Sequence, residues 1–173
     1  VGPHVYDAPV PVLGYYPQVL HIGVGCRRQC KPDGIGQFIE DSLKQAALSP
    51  LAIASIGTIQ LKKDEPLLTD LQSRWSSAVL NIWSKSDLEG VEVPNPSQKA
   101  FQVTGVYGVA EGAALRSSNY GVLFIEKQKG QLSQGNDFTF AVAMDGHRMR
   151  GGGIEIVGAG PGDPELVSVR GKR

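Results

Sequence analysis

The sequence predicts an α/β fold, a three-layer α/β/α sandwich with a mixed sheet, and three observations carry that expectation. Apolar runs of strand length alternate with amphipathic helical stretches from about residue 19 to residue 143. Glycines and prolines stand where those runs would turn into helices or loops. The last two apolar runs have only a polar loop between them, so they would form an antiparallel edge pair on an otherwise parallel sheet.

Residues 1–18, "VGPHVYDAPVPVLGYYPQ", hold four prolines and no helical period and read as a linker. "VLHIGVG" then reads as a strand entering a tight turn. The helix after it is "PDGIGQFIEDSLKQAAL", with Asp33 as N-cap and Ile35, Phe38, Ile39, Leu43 and Ala46 on one face; Gly34 and Gly36 weaken its first turn and push the start later. Ser49 before Pro50 predicts a short helix to about Ile56, ended by Gly57, with "TIQL" extended beyond it. Asp64, Glu65 and Pro66 open the helix "PLLTDLQSRW", whose Leu67, Leu68, Leu71 and Trp75 face the core.

"AVLNIW" is expected as a short buried strand and "SKSDLEG" as a small helix closed by glycine. "VEVPNPSQ" is a loop, because Pro94 and Pro96 exclude both a helix interior and a central strand. Helices around "SQKAFQVTG" and "GVAEGAALRSS" precede the final strands "YGVLFIEKQK" and "NDFTFAVAM". Residues 144–173 break the pattern at "GGG" and start a fresh strand and glycine turn too short for another domain. They read as a linker and a truncated neighbour or tail.

At 173 residues one core is expected, since a chain near this size buries roughly 70% of its unfolded surface. Lysine plus arginine equals aspartate plus glutamate at 17 each, so no global field steers the chain to nucleic acid or to an anionic membrane. No apolar run approaches the length of about 18 residues that a membrane-spanning helix needs. Both cysteines fall in one decapeptide, which is not a disulfide framework, and no charged-then-apolar leader is present, so a cytoplasmic setting is expected. The start at Val1 is compatible with a fragment or a processed product.

"HIGVGCRRQC", His21 to Cys30, concentrates the most chemistry. The spacing of Cys26 and Cys30 is not that of a thioredoxin-like pair, and a structural zinc would need two further ligands that no motif supplies, so no protein-bound metal is expected. Gly23 and Gly25 lack the third glycine of a dinucleotide fingerprint, since position 28 is arginine. Free amides with Arg27 and Arg28 would hold a carboxylate or phosphate; the alternative is an ordinary turn with solvent-facing arginines.

"LKKDEP" sets Lys62 and Lys63 beside Asp64 and Glu65. Near the arginine turn, a carboxylate there would activate water while a cation steadied an oxyanion; alone, the motif is a helix cap with surface lysines. Asn95 between two prolines suits either directional bonding to a ligand or a turn. Glu111 stands among small residues that would let a helix approach another element or a flat ligand closely. Because ligands in α/β sheets sit beyond strand carboxyl ends, "GCRR" and "LKKDEP" are expected to form one site.

In order, "GVGCRR", "TIQLKKDEP", "VPNPS" and "VAEGAAL" resemble the C-terminal domain of the CbiG family, also found alone as CobE, of cobalamin biosynthesis. The resemblance spans nearly all of 19–143 and maps the family pattern onto Gly23, Gly25, Cys26, Arg27 and Arg28, then Thr58, Lys62, Asp64 and Glu65, then Asn95, Pro96 and Ser97, then Val109, Ala110 and Glu111. Gln60 departs from it where aspartate is expected, and Cys30 where a small or hydroxyl residue is usual.

The resemblance implies action on cobalt-precorrin-5A, whose ring lactone the CbiG proteins open with release of acetaldehyde, or a less defined role in the aerobic route. It implies Asp64 and Glu65 as catalytic carboxylates, and Gly23, Gly25, Arg27, Arg28, Lys62, Asn95 and Glu111 as contacts to a precorrin or cobalt-precorrin. No intrinsic cofactor is implied, cobalt entering only as part of the substrate. Other corrin-pathway enzymes are the expected partners, and a noncatalytic scaffold or intermediate-transfer domain is the alternative. The tail "IEIVGAGPGDPELVSVRGKR" resembles the opening of the tetrapyrrole methyltransferases, which points to a fusion of adjacent activities.

Overall fold

The computed structural model describes residues 2–134 and 136–146. Strands β1 (Leu20–Cys26), β2 (Ile53–Ile59) and β3 (Val79–Trp83) run parallel. The late strands β4 (Val122–Gln131) and β5 (Asp137–Met144) form an antiparallel hairpin, and β5 pairs antiparallel with β1 along its whole length. The result is a five-stranded mixed sheet in the order β3-β2-β1-β5-β4.

Helices α1 (Ile35–Gln45) and α2 (Pro66–Arg74) cover one face. Their Ile35, Ile39, Leu43, Leu67 and Leu71 meet Leu20, Ile22 and Val24 of β1 and Phe140 and Val142 of β5 in one continuous apolar core. Arg74 at the end of α2 grips Glu40 of α1 through two bonds, Nε to Oε1 at 2.8 Å and Nη2 to Oε2 at 2.9 Å. Farther along the chain come α3 (Lys85–Glu89), α4 (Gln98–Thr104) and α5 (Val109–Ser117). Of these, α5 covers the opposite face, and it does so with small residues: Ala110 and Ala114 pack on Ala141 and Ala143 of β5.

The structure corrects several local expectations. Ser49 caps and Pro50 opens a helix as the sequence suggested, with Ser49 Oγ accepting from Leu51 N at 3.3 Å, but only a 3-10 turn over Pro50–Ala52 forms. Ile53–Ile59 is instead the strand between β1 and β3, because β-branched Ile53, Ile56, Thr58 and Ile59 suit a strand buried on both faces. The N-cap of α1 is Gly34, in the left-handed region at φ 79°, rather than Asp33. "AVLNIW" forms β3, yet as an exposed sheet edge on which Val79 is 62% accessible, not as a buried strand.

Residues 2–18 contain no regular helix or strand, but their first part is tied to the end of α1: Val5 N donates to Ala47 O at 2.7 Å and Ser49 N to Pro3 O at 2.8 Å. The methyltransferase-like tail lies outside the described residues. Among the described residues no helix is long and apolar enough to cross a membrane.

Candidate functional site

The carboxyl ends of β1 and β2 deliver the two motifs to one place. β1 ends at Cys26 and releases Arg27 to Cys30; β2 ends at Ile59 and releases a 3-10 turn over Gln60–Lys62 that leads into α2. Thr58 Oγ1 donates to Val24 O at 2.8 Å, which locks the two strand ends together. Glu65 occupies the N-cap position of α2, yet its carboxylate makes no cap bond. It turns back under the arginine loop, where Oε2 accepts from Cys30 N at 3.3 Å and Oε1 lies 3.5 Å from Lys62 Nζ. The helix-cap alternative for this acid therefore describes its backbone and not its side chain.

The other acid of that motif points elsewhere: Asp64 is exposed, as is Lys63. Arg27 and Arg28 are also exposed, and Arg27 makes a 3.5 Å ion pair with Asp137 at the start of β5. Beneath them Cys26 and Cys30 are free thiols. Burial, then the neighbouring Cys30 and Glu65, push the Cys26 thiol up to about 12, and burial first of all raises Cys30 as well, which hydrogen-bonds Cys26. Thiols held protonated in this way are packing groups rather than nucleophiles. Among the described residues no group of three or more His, Cys, Asp or Glu side chains is arranged to hold a metal.

Gly23 and Gly25 are buried, and α5 approaches both. A methyl group on Gly23 would stand 1.8 Å from Ala110 O, whereas one on Gly25 would meet Thr139 Oγ1 of β5 at 2.8 Å and only touch Val109 Cβ of α5 at 3.5 Å. Gly23 admits the helix, so the small residues of "VAEGAAL" serve contact with the sheet. Glu111, in the first turn of α5, is fully buried. It accepts from Asn95 N at 3.2 Å, Asn95 Nδ2 at 2.8 Å and Lys127 N at 3.1 Å, while Lys127 Nζ donates to Asn95 O. The Asn95 loop, the α5 N-terminus and β4 are thus pinned together by one carboxylate.

The structure accordingly brings Arg27, Arg28, Lys62, Asp64 and Glu65 to one end of the sheet, and engages Gly23, Gly25, Asn95 and Glu111 in building that end. The sequence reading missed Phe101 and Tyr107, whose rings stack at 4.5 Å with an interplanar angle of 21°. The sequence carries no local signal for this pair, because the two residues lie six apart across the end of α4. A depression of about 660 Å³ at the opposite end is lined by Tyr16, Gln18, His21, Ser55 and Asn81 among others, and His21 Nδ1 lies 2.8 Å from Ser55 Oγ. None of the residues nominated from the sequence lines it.

Comparison with known proteins matches residues 20–143 to the family described as Cobalamin synthesis G C-terminus. The chain is similar to a cobalt-precorrin-5A hydrolase of Priestia megaterium, 35% identical over 130 residues that cover 75% of this chain and 33% of the hydrolase. It is also similar to Protein CobE of Sinorhizobium sp, 29% identical over 110 residues, covering 62% of this chain and 71% of that protein. A crystal structure of CobE, a protein from the cobalamin (vitamin B12) biosynthetic pathway, superposes with a TM-score of 0.63 at 26% identity, over 79% of this chain and 94% of that one.

Proposed function

The chain belongs to the Cobalamin synthesis G C-terminus family, a cobalamin biosynthesis domain related to cobalt-precorrin-5A hydrolases and to CobE, and from that premise we propose that its strand-end loops bind a carboxylate-bearing precorrin or cobalt-precorrin. The observation that carries the reading is the convergence of exposed Arg27 and Arg28 with the Lys62–Glu65 pair, joined through Cys30 N. Guanidinium groups take peripheral carboxylates of the macrocycle; Arg28 is exposed, and the exposed ion pair of Arg27 with Asp137 is one that an incoming carboxylate can replace.

In lactone opening, Glu65 or the exposed Asp64 takes a proton from water as the oxygen adds to the lactone carbonyl. Lys62 steadies the resulting oxyanion. Collapse breaks the ring C–O bond, leaves a carboxylate, and returns the proton to the departing alkoxide. Cobalt enters with the substrate. The two free thiols suit a reducing, cytoplasmic compartment, and the methyltransferase-like tail suits a fusion that keeps corrin-pathway activities together.

A noncatalytic transfer role is the second reading. It is favoured by the commitment of Glu65 to Cys30 N and Lys62. Absorbance titration with cobalt-precorrin-5A, alongside mass detection of the ring-opened product that has gained one water, separates the readings. Binding that weakens in the Arg27→Ala/Arg28→Ala protein supports the site; no binding by the intact protein rejects both. Turnover that disappears in Glu65→Gln with binding retained selects hydrolysis over transfer.

A further inference from the structure

We propose that Phe101 and Tyr107 are the stacking platform for the conjugated face of the macrocycle, across the α5 N-terminus from Arg27 and Arg28; this rests on the tetrapyrrole reading above. The two rings are stacked on one another, yet each stays open to solvent, Phe101 at 39% and Tyr107 at 44%. Their mutual stacking fixes the two rings as one pair and leaves outward ring surface in solvent, an aromatic plane on which a conjugated ligand can rest.

The backbone holds the pair in place. Ser97 Oγ caps α4 by accepting from Ala100 N at 3.3 Å, and Gly105 ends the helix in the left-handed region at φ 75°. That reversal brings Tyr107 back over Phe101, and Ser97 N fixes the return by donating to Tyr107 O at 2.7 Å. Beside Tyr107 lies a depression of about 350 Å³, also lined by Pro96 and Gln98. Pro96 and Ser97 follow Asn95, which Glu111 holds, so the platform is braced against α5.

The platform and the arginines belong to the same end of the molecule. Val109 packs against Gly25. Tyr107 precedes Val109 by two residues and Arg27 follows Gly25 by two, and each such step spans at most about 7 Å. A tetrapyrrole is broad enough to rest its ring system on one side of this junction while its side-chain carboxylates reach the other. Charge agrees with that placement, since α4 carries Lys99 and no acidic residue. Arginine alone would recognise any polyanion; an aromatic plane adds selection for a conjugated one.

The test uses the full chain and uroporphyrin, a metal-free polycarboxylate porphyrin, with binding read from the Soret band. Tyr107→Ala and Phe101→Ala are expected to weaken binding about tenfold, with Tyr107→Phe close to the parent protein. Mellitate, which carries carboxylates on a single small ring, is expected to lose affinity only in the Arg27→Ala/Arg28→Ala protein. Far-ultraviolet melting curves identify any variant that fails to fold, and Tyr107→Leu, which keeps apolar bulk without a ring face, then serves in its place. If the parent protein does not bind uroporphyrin, the tetrapyrrole reading fails and the platform with it. If the parent binds and the alanine and leucine variants bind equally well, the platform is overturned while the tetrapyrrole reading stands, and the exposed rings are reassigned to a protein interface.

Discussion

Gly23 lies so close to the backbone of Ala110 that a single added methyl group would come within 1.8 Å of the Ala110 carbonyl oxygen and 2.6 Å of Ala114 N. Neither obstacle is a flexible side chain. Gly23→Ala should therefore displace α5 and lower stability by about 3 kcal/mol, at the upper end of the usual overpacking cost. Gly90→Ala, where nothing lies within 4 Å and φ is −92°, is the control and should stay within about 0.5 kcal/mol. Chemical denaturation of both proteins checks the pair.

Glu111→Ala would leave Asn95 N and Lys127 N without their acceptor, while Asn95 Nδ2 keeps Glu126 Oε2 at 2.9 Å. Each donor left without a partner at such a half-buried site costs at most about 1–3 kcal/mol, so a loss of about 2 kcal/mol is expected. Glu111→Gln keeps the shape and one acceptor oxygen and should lose less. Denaturant midpoints that rank the two variants the other way would show that Glu111 is not the pin between the Asn95 loop and β4.

The Arg74–Glu40 clamp predicts acid sensitivity. The Arg74 hydrogen bond and charge hold the Glu40 carboxyl below its ordinary value, partly opposed by burial. A folded-state value below the unfolded one gives stability that is present above the unfolded value of about 4.3 and is lost as pH falls through the folded one. Arg74→Ala should flatten that acid limb and cost about 1 kcal/mol near neutrality, the pair being partly exposed and screened. Melting temperatures from pH 7 downward make the comparison.

Cys26 predicts the opposite limb. With its thiol at about 12 in the folded chain, raised chiefly by burial, the unfolded chain ionises first as pH climbs above about 8.5. Stability should fall with rising pH from there until the folded thiol also titrates. At pH 8 iodoacetamide should modify Cys26 much more slowly in the native protein than in denaturant. Rapid native labelling of Cys26 would contradict the buried, protonated thiol.

These cases also show what the sequence could and could not disclose. The faces of α1 and α2 were readable because Ile35, Ile39, Leu43, Leu67 and Leu71 recur at helical spacing and all of them reach the core. β2 was not, because Ile53, Ile56 and Ile59 are three apart, a spacing that imitates a helix when a strand is buried on both sides. The meeting of "GCRR" with "LKKDEP" followed from chain direction alone, since both motifs leave parallel strands at the same end. The use of Gly23 and Glu111 did not, because glycine before a turn looks the same whether it admits an anion or a helix, and no local pattern reveals the donors around a buried carboxylate.

The position of β5 sets a condition on how the protein is made. β1 is complete at Cys26, but the neighbour that covers one of its edges, from Leu20 opposite Met144 to Cys26 opposite Phe138, is the last described element to leave the ribosome. Until then an apolar strand waits with half its hydrogen-bonding groups unpaired, a state open to foreign strands. Pairing across so long a stretch of chain comes late and slowly, so the exposure of this half-built sheet is set by chain order and not by the stability of the finished one.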